Sequence, residues 1–466
     1  MKVIPMSHPT LLRSVFLALV FLALFPAAVA AQSKKQIKQA SQLIDQAKKA
    51  FAQKDYRSAA DLFGQATAIT PKNADAHFRK GYAHYYLKEN DKALDELNTA
   101  LSLGANAQDI YKLRWYLYKE KKDYAAALVD INAALKIEPA NELLLRGLGD
   151  INFDRGAFRD ALTAYETVLK SNPNDANLYF NIAKIQSGLG NTQEQAKAAE
   201  TAIAKGTIYL ADAYMLLGDA YRKDRRYAEA ASAYQRAINS KPELYAAYRI
   251  LAEVYRADNK YEEAIEVSKR ALRQFPLDGQ IYTDISWFYS LAGRNEEAVQ
   301  AAQAGVKILP DRYLAYTNLC RAYNDVNKPE LAVSQCNAAL RLNPEDGETY
   351  FYLARANDLI GKTNEATRYY GKAVIGLEKV TRDNPDNSDG FYLLGNAYFA
   401  DNQREKAIEA YRTCLRLNPN FVKARYNMGI IQVLQKNKSA ALEQYNSLLS
   451  LDQTLAGKLK VEIDKL

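Results

Sequence analysis

Three cysteines, two of the three histidines and one Gly-Lys-Thr triplet are the residues of this 466-residue chain whose types and places invite chemistry. Cys320 and Cys336 stand close together and Cys414 stands alone. A thiol becomes a nucleophile only beside a base, and His77 and His84 lie far upstream of all three cysteines. The histidines are two helical turns apart, a spacing that could hold a metal ion. The triplet Gly361–Thr363 is not a phosphate loop: Ala356 stands where the upstream glycine is required, and the context is a turn between helices. Acidic residues are spread along the whole chain, so no carboxylate pair or triad can be singled out. These residues give no catalytic set, no metal site and no cofactor, and the chain reads as a non-enzyme.

The totals set wider bounds. The length exceeds one ordinary compact core. An apolar fraction of 48% with 25% charged residues excludes a disordered chain. The formal charge of +8 comes from 62 basic and 54 acidic residues, too mixed for a nucleic-acid footprint.

The first residues read as an export signal, 1–31. Lys2 and Arg13 precede the apolar run Val15–Phe25, and "PAAVAAQS" offers small residues for cleavage after Ala30 or Ala31. The run is short, followed by Pro26 and by no cysteine, which argues against a membrane or lipid anchor. No later stretch is long and apolar enough to span a bilayer. The mature chain, carrying +6, is expected in the periplasm or secreted.

What positions the remaining residues is a repeat. "YMLLGDAYRKDRRYAEAASAYQRAINSKP" ends at Pro242 and "YRILAEVYRADNKYEEAIEVSKRALRQFP" at Pro276. "FYLLGNAYFADNQREKAIEAYRTCLRLNP" ends at Pro419. Pro242, Pro276, Pro310 and Pro344 recur every 34 residues, and nine of the thirteen prolines close such a unit. Within a unit, apolar residues at positions 4, 7, 8 and 11 share one helical face. Position 8 is small (Gly81, Gly149, Gly218, Gly395, Gly429), position 20 is usually alanine, and the closing proline ends the second helix. The small residue at 8 is taken to let the second helix approach through the alanine at 20.

This pattern resembles the tetratricopeptide repeat (TPR), a helix–turn–helix unit of 34 residues. The resemblance implies an all-α solenoid of stacked hairpins forming a right-handed superhelix. The array spans 32–455. Its twelve units are 40–73, 74–107, 108–141, 142–175, 176–210, 211–244, 245–278, 279–312, 313–346, 347–387, 388–421 and 422–455. A capping helix, 456–466, follows, with Leu455, Leu459, Ile463 and Leu466 on one stripe. The second and fifth units lack the closing proline, and the tenth is seven residues longer, which predicts a lengthened second helix that keeps its phase.

Placed in the repeat, the reactive residues look structural. His77 and His84 fill positions 4 and 11, which are core slots. Cys320 and Cys336 fill positions 8 and 24. Two small buried hydrophobes is the reading those slots favour, and a disulfide is the alternative. With position 8 facing 20, position 24 lies a further turn away, about 5–6 Å along the helix, which puts the Cα atoms beyond the ~7 Å limit.

A second stripe of the first helix, positions 2, 5, 9 and 12, is not dictated by the core. The resemblance places it on the concave wall, where a partner would bind. It is aromatic in the early units: Phe51, Phe78, Tyr82, Tyr85, Tyr116 and Phe153. That suits an apolar peptide or sugar rings. Later it carries Arg222, Arg249, Arg256, Arg321 and Arg355 beside Trp287. Asp212, Asp219, Glu253, Glu348 and Asp358 lie on the same stripe, so an ion-paired wall is expected. Asn181, Asn318 and Asn427 take position 6, where family members that bind extended peptides can grip the peptide backbone. The carboxylate-clamp set is absent: its other slots hold Thr283, Trp287, Glu348 and Tyr352 around Asn318, and Arg146, Asp150, Asp212 and Leu216 around Asn181. The expected function is a non-catalytic scaffold holding a protein or peptide, with carbohydrate binding in an envelope polysaccharide pathway as the alternative. Nucleic acid and integral membrane insertion are not expected. The sequence gives no reading of the oligomeric state.

Overall fold

The structure is a computed structural model that describes residues 33–466. The export signal lies outside the described residues. Among those described there are twenty-five helices and no strand. A helix over 33–52 is followed by helices from Tyr56–Ile69 through Gln453–Ile463. The first helices of successive hairpins begin at Ala74, Ala107, Glu142, Ala176, Leu210, Tyr245, Gly279, Tyr313, Gly347, Ser388 and Val422. No helix among the described residues is long and apolar enough to cross a membrane.

Local chemistry sets both ends of each helix. At all twelve turns inside the hairpins one residue is left-handed, with φ between 56° and 80°. Glycine takes that place at Gly156, Gly190, Gly293 and Gly361, and Lys, Arg or Asn takes it in the other eight hairpins. At nine second-helix ends the last residue is extended, with φ between −120° and −147°, because the proline after it forbids the helical conformation there. Of the three hairpins without that proline, the second and fifth stop at Gly104 and Gly206, with φ of 83° and 81°, and the last ends at Ser450 ahead of the terminal helix. Glycine at the left-handed exit replaces proline as the stop signal.

The chain divides into two compact units, one ending at Asp175 and the other running from Ala176 to Leu466. In each, a hairpin packs on its sequence neighbour, and the core is a run of small clusters in place of one central interior. Phe63, Leu97, Tyr234 and Tyr411 are fully buried there. Each apolar side chain of that size contributes about 2 kcal/mol on leaving water.

The packing partner of position 8 corrects the sequence reading. A Cβ built on Gly149 would come within 2.2 Å of the Tyr165 ring. The equivalent distances are 2.8 Å for Gly218 to Tyr234 and 2.5 Å for Gly395 to Tyr411. In each pair the tyrosine is at position 24, so position 24, and not only the alanine at 20, lies over position 8. The ring hydroxyl then donates to position 9: Tyr165 to Asp150, Tyr234 to Asp219 and Tyr411 to Asn396, each at 2.6 Å. Residues 8 and 24 of the ninth hairpin are therefore neighbours. Cys320 and Cys336 are bonded there, with Cα atoms 5.3 Å apart. The expected separation beyond 7 Å failed because it paired the wrong rungs of the hairpin.

Two other elements refine the reading. The second helix of the tenth unit, Thr363–Asp383, has 21 residues against 12–14 in the others. Its Gly376 lies against Gly347, where a Cβ would meet backbone at 2.7 Å. The terminal helix begins at Gln453, capped by Asp452, and buries Ala456, Leu459 and Ile463. Leu466 lies beyond its end and is exposed, so it does not extend the capping stripe.

Candidate functional site

The first unit has a hollow of about 900 Å³. Most of its lining comes from first helices, as the stripe implied. Phe51, Phe78, Tyr82, Tyr85 and Tyr116 meet there. Ring centres lie 5.8 Å apart for Phe78 and Tyr82, and 6.0 Å apart, edge to face, for Tyr85 and Tyr116. Such spacings are typical of attractive ring pairs. Burial pushes the Tyr82 and Tyr85 hydroxyls up from their ordinary pKa. Lys112 and Lys119 stand at the margin, already paired with Glu138 and Asp150. Phe153 does not line this hollow; its ring packs 5.7 Å from Phe158.

His77 and His84 form no pair. His77 Nδ1 is 2.6 Å from Glu96 and His84 Nδ1 is 2.8 Å from Glu89. Each imidazole is held by its own carboxylate at the edge of the packing, and no cluster of potential metal ligands occurs among the described residues.

The second unit has a cleft of about 510 Å³. Arg256, Trp287, Arg321 and Arg355 meet in it, and Asn427 lines it too. Arg256 donates to Glu253 at 2.7 Å and to Asp389 at 3.0 Å, and Arg355 to Asp325 at 3.0 Å. The Arg256 and Arg321 guanidiniums lie 5.0 and 5.5 Å from the centre of the Trp287 ring, within reach of a cation–π attraction. Glu348 is half-buried, its side chain 24% exposed, and loss of water there raises its carboxyl to about 7, against the lowering pull of Arg321. Burial likewise raises Asp389 and lowers Lys423.

Other residues of the stripe are placed elsewhere. Arg249 is bridged to Asp284 at 2.9 Å, and Arg222 reaches Asp219 at 3.4 Å on the surface. Asn318 donates to the Thr283 carbonyl at 3.1 Å, tying one hairpin to the preceding one. Asn181 is half-buried and lines neither hollow. Asp389, Tyr392, Asn396 and Lys423 line the cleft and were not singled out from sequence. They occupy positions 2, 5 and 9 of the last two repeats, so the stripe carried two repeats further would have found them.

Cys414 is buried and unbonded, and burial pushes its thiol far above the usual range, so it is no nucleophile.

The hairpins' repeat matches known families at six stretches. A tetratricopeptide repeat family matches residues 188–248, 215–278 and 251–313, and a second one matches 50–114. A TPR repeat family matches 149–190 and 395–436. Together these stretches cover more than half of the chain. The chain belongs to the tetratricopeptide repeat family. Among curated TPR relatives, DnaJ homolog subfamily C member 3 of Gallus gallus is 26% identical over 214 residues, 42% of each chain. Hsc70-interacting protein 1 of Drosophila melanogaster is 28% identical over 106 residues, covering 23% of this chain and 28% of the relative. The alignments thus span less than half the length of these relatives. The crystal structure of yeast Tom70 superimposes with a TM-score of 0.39 at 15% identity, covering 84% of this chain and 94% of that one.

Proposed function

We propose that this TPR chain is a non-catalytic scaffold that works outside the cytoplasm and holds a protein or peptide against its first-helix surfaces. The carrying observation is the cleft of the second unit. Its wall draws on the first helices of six successive hairpins and mixes aromatic rings with polar groups, the composition that seats an extended chain. One relative, Hsc70-interacting protein 1, is named for its interaction with another protein, which fits protein binding. Export is supported by the leader's basic start and apolar run and by the Cys320–Cys336 bond, since structural disulfides persist in oxidising compartments. Affinity capture from envelope extract tests the reading: a specific protein retained by the native chain and lost with a cleft variant such as Trp287→Ala supports it. Background binding alone speaks against it.

A second reading is favoured by one observation, the aromatic hollow of the first unit, which matches the apolar faces of sugar rings. A glycan array would show binding by the native chain that Phe78→Ala and Tyr82→Ala abolish. Peptide binding that survives both substitutions would reject the carbohydrate reading.

A further inference from the structure

Arg321 is a buried cation without adequate partners. It is 5% exposed and lines the cleft. Its Nε and Nη2 atoms are buried and make no hydrogen bond. Its one carboxylate neighbour, Glu348, is 3.9 Å from Nη1, a loose contact on the other side of the guanidinium. Nε and Nη2 are the two parallel donors that take a carboxylate side-on. The same chain shows the filled arrangement: Arg114 uses Nε and Nη2 on the two oxygens of Asp130, both at 2.9 Å. At Arg321 that fork has no acceptor, although an unmet buried donor costs about 1–3 kcal/mol, and more when charged.

Lys423 adds a second cation to the same cleft. It is half-buried and forms no ion pair among the described residues; Asp325 and Asp452 act on it only through space, and Arg321 repels it. Arg256 and Arg355 differ, for both already hold carboxylates. Two under-partnered cations thus face one hollow across hairpins nine and twelve. A single anion between them would relieve their repulsion and fill the Arg321 fork.

We propose that the cleft of the second unit seats one carboxylate of a bound peptide between Arg321 and Lys423, with Trp287 flanking it. This deepens the scaffold reading and rests on it. A carboxylate fits better than a phosphate dianion because Glu348, Asp325 and Asp389 line the same cleft and would repel a second negative charge.

Fluorine NMR of the full chain labelled with fluorotryptophan tests the proposal. Trp287 reports on the cleft and Trp115, the other tryptophan, serves as a control in the first unit. Three probes are titrated at fixed ionic strength: acetylated, amidated alanyl-glutamyl-alanine; its glutamine counterpart; and acetyl-trialanine with a free carboxyl terminus. The glutamate peptide or the free-terminus peptide shifts the Trp287 resonance saturably, with a Kd on the order of 1 mM. Which of the two binds tells whether a side chain or a chain end is recognised. The glutamine peptide leaves the resonance in place. Arg321→Gln and Lys423→Met each weaken binding at least about tenfold. Lys423→Met also leaves the melting temperature unchanged or raises it, because it removes a half-buried charge that has no ion-pair partner, and it carries the test should Arg321→Gln fail to fold. Equal shifts from the glutamine peptide, tighter binding of inorganic phosphate, or native affinity in a folded Lys423→Met protein would overturn the proposal. Loss of the carboxylate effect with partner capture intact would remove this site and leave the scaffold reading standing.

Discussion

Arg256 and Asp389 lie 133 positions apart in the chain, yet Arg256 Nη1 donates to the Asp389 carboxylate at 3.0 Å. Asn259 similarly reaches the Asn420 carbonyl at 2.7 Å. The hairpins of the second unit therefore curve until the seventh meets the eleventh, and the cleft is the space this curvature encloses. Both charges are largely buried, and Glu253 completes the network. Asp389→Asn is expected to destabilise the protein by about 3 kcal/mol, because it leaves a buried guanidinium short of a partner. Arg256→Met combined with Asp389→Leu recovers most of that loss. Urea denaturation of the single and double variants checks this; strictly additive effects would mean that the two groups do not interact.

The disulfide makes a second prediction. Unfolding without reductant exposes one reactive thiol, Cys414, and the native protein exposes none, since Cys414 is buried and Cys320 and Cys336 are joined. Closing a loop of this length stabilises the fold by about 3 kcal/mol. Cys320→Ser with Cys336→Ser should lower stability by roughly that amount, measured by thermal melting against thiol counts.

Glycines at position 8 and elsewhere in helices should respond in opposite directions. Gly149→Ala places a methyl group in the Tyr165 ring and should cost about 1–3 kcal/mol. Gly371, inside the long helix, has nothing within 4 Å of an added Cβ, so Gly371→Ala should stabilise by up to ~1 kcal/mol. Paired melts of the two variants decide it.

Glu348 gives a pH dependence of known sign. Burial raises its carboxyl from 4.5 to about 7 in the folded protein. Between these values the folded state holds a proton that the unfolded state has released, so stability falls as pH rises through this window. The group's contribution spans up to ~3 kcal/mol. The native protein minus Glu348→Gln should lose stability from pH 5 to pH 7.5, and a flat difference would show that Glu348 is solvated.

Much of this was legible in the sequence. Apolar spacing and the prolines gave the hairpins because helix period and chain termination are local properties. The stops at Gly104 and Gly206 were equally local but were looked for as proline. The Cys320–Cys336 bond was misjudged because the rung pairing of two antiparallel helices depends on their tilt and stagger. The recurrence of Gly149 with Tyr165 and Gly395 with Tyr411 at that same spacing held the clue. Asn318 was read as a peptide grip, yet its position equally reaches the preceding hairpin's Thr283 carbonyl. Arg321 was read as one arginine among five balanced by five acids. Counting charges along a stripe cannot reveal which pairs form, and curvature brought Asp389 to Arg256 while leaving the Arg321 fork without an acceptor.

The central claim, that a partner lies against the first-helix surfaces, is tested most directly by site-specific photo-crosslinking in envelope extract. A photoreactive phenylalanine analogue is placed at Tyr116 or Arg355, which line the two hollows, and at Val129 or Ile375, which are exposed on second helices. A discrete crosslinked protein from Tyr116 or Arg355 alone is the expected result. The same adduct from Val129 or Ile375, with none from the hollows, would contradict the account.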